Sequence, residues 1–81
     1  MTNLEALVKE ALGGSSQALE EIVRQIKDLM FGVSLRMLYS PEAAEDATQE
    51  ILIKIVTNLG TFRGESAFKT WAMRIATNHP L

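Results

Sequence analysis

Residues 60–71 are GTFRGESAFKTW, a stretch that passes from a glycine-bounded loop into a helix. Gly60 and Gly64 allow positive φ angles, so we expect a tight loop that folds closely around a ligand. Glu65 or Ser66 is expected to accept hydrogen bonds from the first free N–H groups of the helix. The helix itself is amphipathic, with one apolar face and one basic face. This stretch is therefore the first candidate for a binding site.

Apolar residues at helical spacing predict three more helices before this one. The four predicted helices cover about residues 3–12, 17–38, 42–59 and 66–78. No stretch shows the sustained period-two alternation that is typical of a half-buried strand. The sequence therefore predicts an all-α fold, a compact bundle of three main helices plus a short N-terminal helix.

Turn and capping residues mark the ends of the predicted helices. Gly13 and Gly14 are expected to end the first helix, and Ser15 or Ser16 to cap the second. Ser40 is expected to cap the third helix, because the proline that follows it is tolerated at a first helical position.

The second helix carries a long apolar stripe from Leu19 to Met37, which is expected to face the core. Gly32 interrupts this helix at a cost of about 1 kcal/mol relative to alanine. We expect that this glycine admits a close neighbour.

The third helix has one apolar residue on its polar face. Ile53 follows Asp46, Gln49 and Glu50 by seven, four and three residues, so these side chains share one side of the helix. A single exposed isoleucine is common in proteins. An apolar centre with a polar rim is equally typical of a small interface, so the pattern alone leaves both interpretations open.

The composition fits one small domain with an uneven charge. The chain has 81 residues, no cysteine and a net charge of −2. Residues 1–50 hold nine acidic and four basic residues, whereas residues 51–81 hold one acidic and four basic residues. This polarity fits an anionic partner at the C-terminal part, and it fits the ordinary scatter of charge in a small protein equally well. The lack of cysteine fits a reducing cytoplasm, and neither a signal peptide nor a membrane-spanning run is recognisable.

Catalytic and metal-binding patterns are absent from the sequence. His79 lies next to a proline near the C-terminus, where we expect it to be solvated. Glu42, Glu45, Asp46 and Glu50 are acids at helical spacing, but no histidine or thiolate joins them as a ligand. The glycine-bounded loop lacks the Lys-Ser/Thr that follows in a P-loop. The sequence therefore predicts a binding protein with no metal and no cofactor, rather than an enzyme.

Two segments strongly resemble a known family. They are AEDATQEI at residues 44–51 and FRGESAFKTWAMRIATN at residues 62–78, separated by about one helix length. Together they look like region 2 of bacterial RNA polymerase sigma factors of the extracytoplasmic-function type. The segment GGSSQAL at residues 13–19 also resembles the turn before the family's second helix, so the resemblance covers about residues 4–79.

The resemblance implies two binding surfaces. In the family, the first motif docks on a coiled coil of the largest subunit of core RNA polymerase, which implies a contact through Asp46, Gln49, Glu50 and Ile53. The next loop and helix capture the non-template strand of the minus-ten promoter element, flip one base and so start strand melting. The DNA-binding residues implied by this likeness are Phe62, Arg63, Gly64, Glu65, Ser66, Ala67, Lys69, Thr70, Met73, Arg74 and Asn78.

Several of these residues have a second interpretation. Phe62 is suited to stacking on a base but equally to the core, and Phe68 and Trp71 are expected in the core. Asn78 would hydrogen-bond the captured base by resemblance, or simply end the helix. Met73 stands where the family often has an aromatic residue, which leaves stacking at this position open.

The resemblance also sets expectations about partners and domain organisation. Family members normally continue into a helix-turn-helix domain that reads the minus-thirty-five element, and we expect residues 1–81 to be a region 2 domain without it. Many relatives are inhibited by an anti-sigma protein, which is a further expected partner in the cytoplasm. The alternative is a helical regulator of the same fold that binds polymerase or an anti-sigma factor without binding DNA. The third alternative is an enzyme with a metal site on the acidic residues of the third helix.

Overall fold

The computed structural model describes residues 3–80, so residues 1, 2 and 81 of the predicted domain lie outside the described part. It contains four α-helices: α1 at Leu4–Leu12, α2 at Ser16–Leu38, α3 at Pro41–Thr57 and α4 at Phe68–Thr77. No strand occurs within residues 3–80, and the predicted all-α bundle is confirmed.

Two helix boundaries differ from the prediction by two residues, and the others agree within one residue. The third helix ends at Thr57 and is followed by a 3₁₀ turn at Leu59–Thr61. The last helix begins at Phe68 instead of residue 66, because the chain is still extended at Ala67, with φ −61° and ψ 144°. The loop between the 3₁₀ turn and α4 therefore covers residues 62–67 and is shifted by two residues from the predicted position.

Three helices are capped by the polar residue that precedes them. The Oδ1 atom of Asn3 accepts from the N–H of Glu5 at 2.8 Å. The Oγ atom of Ser15 accepts from Ala18 at 3.1 Å, and the Oγ atom of Ser40 accepts from Ala43 at 3.4 Å. Each bond satisfies a backbone donor that has no partner inside the helix. The predicted caps of α2 and α3 are confirmed.

The core lies where all four helices meet. Helix α2 packs most extensively on α3, α1 packs on α2 and α4, and α4 contacts all three other helices. Burial of each large apolar side chain contributes about 1.5–3 kcal/mol, which explains the cohesion of so small a domain. The largest apolar side chains that are completely buried are Ile22, Ile26, Met30, Ile51, Ile55 and Phe68.

Two expectations for α2 are wrong. Met37 is 40% exposed, because the last buried residue of α2 is Ser34 and the helix continues past the core. A Cβ atom at Gly32 would meet no atom within 4 Å, so this glycine does not admit a close neighbour. None of the four helices is long and apolar enough to span a membrane within the described part of the chain.

Candidate functional site

Of the two glycines in and before the loop at residues 62–67, only one has a positive φ angle. Gly64 has φ +74°, in the left-handed region that favours glycine, whereas Gly60 has no positive φ. A Cβ atom at Gly64 would meet no atom within 4 Å, so the backbone is open to a ligand there. The prediction of a tight turn is therefore right for Gly64 and wrong for Gly60, which lies in the 3₁₀ turn.

The predicted local cap of α4 is wrong. Ala67 occupies the N-cap position and has no side-chain oxygen, while the hydroxyl of Ser66 donates to the carbonyl of Ala67 at 3.4 Å. The N–H of Phe68 instead donates to the Oε2 atom of Glu5 at 3.0 Å. Glu5 lies in the first turn of α1, and no sequence pattern connects it to a helix 63 residues later.

Three aromatic rings form one cluster beneath the loop. Phe62 lies edge-on to Phe68, with ring centroids 5.6 Å apart, and 5.2 Å from Trp71. Phe68 and Trp71 are 5.7 Å apart. Phe68 is completely buried as predicted, and Trp71 is half-buried against the core. Phe62 is also half-buried, so it packs on the core and still presents part of its ring to solvent.

Two grooves flank the loop. One, of about 300 Å³, is lined by two aromatic residues, two arginines and three further polar residues: Phe62, Trp71, Arg63, Arg74, Thr61, Glu65 and Ser66. The other, of about 680 Å³, separates the loop from α1 and has Val8 and Leu12 on its far wall. Aromatic surface beside positive charge is the combination that single-stranded nucleic acids favour.

A third groove, of about 430 Å³, separates α3 from α4. Five of its residues were not among the predicted DNA-binding residues: Lys54, Asn58, Thr61, Trp71 and Ile75. Lys54 and Asn58 stand four residues apart at the end of α3, so they lie on the same side of the helix. On the opposite wall the groove has Trp71, Arg74, Ile75 and Asn78.

The outward face of α4 carries most of the remaining predicted DNA-binding residues. Lys69, Thr70, Arg74 and Asn78 are exposed, as are Gly64, Glu65 and Ala67 in the loop. Met73 is half-buried and packs against the core, so only part of it faces outward. Asn78 ends the helix, with its N–H donating to the carbonyl of Arg74 at 3.0 Å, and its side chain is exposed. Its interpretation as the helix end is confirmed.

The polar face of α3 is a single continuous surface. Asp46, Gln49 and Glu50 are exposed, and Ile53 between them is 61% exposed. Within residues 3–80, the acidic residues do not gather with a histidine or with one another into a group that could hold a metal ion. The described geometry thus gives Ile53 the polar surroundings that the helical spacing predicted.

His79 is not solvated, contrary to the prediction. Its side chain is only 6% exposed, because α4 lays the end of the chain against α3. The Nδ1 atom lies 2.8 Å from the Nζ atom of Lys54, and the Nε2 atom lies 3.3 Å from the Oε2 atom of Glu50. A lysine ammonium can only donate, so Nδ1 accepts and Nε2 carries the hydrogen that is donated to Glu50. Glu50, an exposed residue of the polar face of α3, is thereby hydrogen-bonded to His79, which follows α4.

The comparisons with known proteins agree with this arrangement. The Sigma-70 region 2 family matches residues 22–79. An RNA polymerase sigma-H factor of Pseudomonas aeruginosa is 36% identical over 74 residues, which are 91% of this chain. The ECF RNA polymerase sigma factor SigW of Bacillus subtilis is 37% identical over 71 residues, or 88% of this chain. An ECF RNA polymerase sigma-E factor of Haemophilus influenzae is 36% identical over 74 residues, again 91% of the chain.

These relatives are longer proteins, and the match spans 38% of the sigma-H factor, 38% of SigW and 39% of the sigma-E factor. The residues that match the family include the loop, the aromatic cluster and the polar face of α3. The family match alone extends over well more than half of the chain, from Ile22 to His79. The chain belongs to the Sigma-70 region 2 family.

Proposed function

We propose that this chain binds core RNA polymerase through α3 and captures the non-template strand of the minus-ten promoter element through the loop at residues 62–67 and α4. A sigma-factor domain is non-catalytic, so its role is to bind and to position. The observation that carries the proposal is the groove of about 300 Å³ that combines Phe62 and Trp71 with Arg63 and Arg74. Base stacking and phosphate neutralisation are thus available at one place.

The DNA side of the proposal follows from the chemistry of base capture. Flipping a base out of a duplex costs a few kcal/mol, which stacking and hydrogen bonds to the base edge must offset. The exposed part of Phe62 offers a stacking surface, and the open backbone at Gly64 lets a base approach polar groups closely. Lys69 and Arg74 are exposed on the adjacent helix, where they can neutralise phosphates.

The proposed polymerase contact follows from the polar face of α3. Ile53 supplies an apolar centre, and Asp46, Gln49 and Glu50 supply an acidic, polar rim. An acidic rim selects a partner with basic residues around an apolar patch. The N-terminal part of the chain carries the excess of acidic residues and the C-terminal part the excess of basic ones. This division keeps phosphates away from the face that we assign to the polymerase.

The domain organisation is part of the same proposal. We regard residues 1–81 as a region 2 domain, and any reading of the minus-thirty-five element as the work of another domain. An anti-sigma protein that covers α3 or the loop would block polymerase or DNA, so it fits these surfaces as a regulator. Action on promoter DNA and core polymerase agrees with the expected cytoplasmic site.

The polymerase contact is tested by retention of the chain on immobilised bacterial core RNA polymerase. We expect Ile53→Glu to reduce retention at least tenfold, because it buries a charge at the centre of the interface. Met37→Glu is the matched control, since Met37 is also an exposed apolar residue but lies on α2. The control should bind like the parent chain. Equal retention of the Ile53 variant would refute the assignment of α3.

The DNA contact is tested by binding of a fluorescent single-stranded minus-ten oligonucleotide to the complex with core polymerase. We expect binding that weakens as salt rises, with a scrambled oligonucleotide bound less tightly. Retention on polymerase without any gain in oligonucleotide binding would favour the helical regulator that lacks DNA binding. Failure of the folded parent chain in both measurements would overturn the proposed function.

A further inference from the structure

Helix α4 is the one α-helix within residues 3–80 whose N-terminus is not capped by the side chain of the residue before it. Ala67 provides no side-chain acceptor, whereas Asn3, Ser15 and Ser40 cap their own helices. The N–H of Phe68 is partly buried, and a backbone donor in that position needs an acceptor from the protein. Glu5 supplies it with a charge-assisted hydrogen bond of 3.0 Å.

The carboxylate of Glu5 also has the right charge for this place. The N-terminus of a helix carries a partial positive charge, which a carboxylate stabilises. Because Glu5 belongs to α1, the same bond fixes the position of α1 relative to the start of α4. The contact therefore joins two helices that are far apart in the sequence.

Phe68 is the point at which this bond can control the loop. It is completely buried, and its ring contacts both Phe62 and Trp71. Glu5 moreover lines the same groove as all six loop residues, from Phe62 to Ala67. A shift in the start of α4 would consequently move the ring of Phe68, and with it Phe62 and the loop around Gly64.

We propose that Glu5 is a positioning residue for the DNA-binding loop. It does not contact DNA in this scheme, but it holds the start of α4 so that the loop keeps the shape needed to receive a base. The inference rests on the proposed function of the loop. The three segments that carry the family resemblance, at residues 13–19, 44–51 and 62–78, do not include this position.

The charge of Glu5 and its hydrogen bond have opposite effects on DNA binding. A carboxylate beside the loop repels phosphates, so removing the charge alone should strengthen binding slightly. Removing the acceptor leaves the N–H of Phe68 without a partner and should weaken binding. Glu5→Gln removes only the charge, because the amide oxygen still accepts, whereas Glu5→Ala removes both.

The experiment compares these two variants with Glu10→Ala, which removes an acid from the exposed side of α1. We expect Glu5→Ala to weaken binding of the minus-ten oligonucleotide about tenfold in the complex with core polymerase, the effect of one lost charge-assisted hydrogen bond. Glu5→Gln and Glu10→Ala should stay within about threefold of the parent chain, since neither removes an acceptor from α4. Retention on core polymerase should be unchanged in all three.

A second readout follows the bond itself. Amide hydrogen exchange at Phe68 should accelerate in Glu5→Ala but not in Glu5→Gln or Glu10→Ala. Equal DNA binding by the alanine and glutamine variants would overturn the positioning role. Loss of polymerase retention in Glu5→Ala would assign Glu5 to general stability and would also overturn it. If the parent chain bound no oligonucleotide, the proposed function would fail, although faster exchange at Phe68 would still establish the cap.

Discussion

The two surfaces of this domain are built in different ways. The polar face of α3 belongs to one helix, and its residues, from Asp46 to Ile53, lie within two turns of each other. The loop site depends on three separate parts of the chain: the loop itself, α4 beneath it and Glu5 on α1. The first surface is thus local in sequence, and the second is assembled by folding.

This difference has a physical consequence for how each surface responds to change. A helical face keeps its arrangement as long as the helix is packed, because the backbone hydrogen bonds fix the direction of every side chain. A loop has no such repeating bonds, so its shape depends on the few contacts that hold its ends. Changes away from the loop should therefore damage DNA binding more easily than polymerase binding.

Phe68→Ala gives the largest expected effect, because it removes the core beneath both surfaces. The side chain is completely buried, and such a truncation lowers the free energy of unfolding by about 3–5 kcal/mol. Small domains have only about 5–15 kcal/mol in total, so we expect both binding activities to fall. Urea denaturation followed by circular dichroism measures the change.

The matched control is Phe31→Ala, which truncates a half-buried phenylalanine on α2. It should lower the free energy of unfolding by less than half as much, since less apolar surface is lost. A Phe68 variant that kept full polymerase binding but lost DNA binding would show that the two surfaces do not share this part of the core.

His79→Ala tests whether the polar face of α3 keeps its function without contacts from outside α3. The variant removes the hydrogen bonds to Lys54 and Glu50, and we expect the free energy of unfolding to fall by about 1–2 kcal/mol. Lys54 and Glu50 can regain water, so polymerase binding should change less than threefold. Asn78→Ala is the control, because it truncates the exposed neighbour. A large loss of polymerase binding in the histidine variant would instead make His79 a support of the α3 face.

The same division explains what could be predicted from the sequence. The exposure of Ile53 and the caps of α2 and α3 follow from helical spacing and from neighbours three residues apart, and they were predicted correctly. The cap of α4 and the burial of His79 depend on contacts across 63 and 25 residues, respectively, and they were predicted wrongly. Local patterns contain no information on such contacts, because tertiary packing alone brings the residues together.

Arg63→Ala gives the smallest expected effect and tests the loop site alone. Arg63 is exposed and lines both grooves beside the loop, so its removal should leave the free energy of unfolding unchanged within about 0.5 kcal/mol. If the guanidinium neutralises one phosphate of a single strand, the slope of log K against log salt should become less steep by about 0.7. Oligonucleotide titrations at several salt concentrations measure this slope.

Arg36→Ala is the matched control for that measurement. It removes the same charge from the last turn of α2, and Arg36 lines neither groove beside the loop. Binding should weaken more in Arg63→Ala than in Arg36→Ala, and the change in slope should occur only with Arg63, because counterions are released only where a phosphate is neutralised. An unchanged slope for Arg63→Ala would mean that the strand does not pass this side of the loop. The base would then have to enter from the groove between α3 and α4, past Lys54 and Asn58.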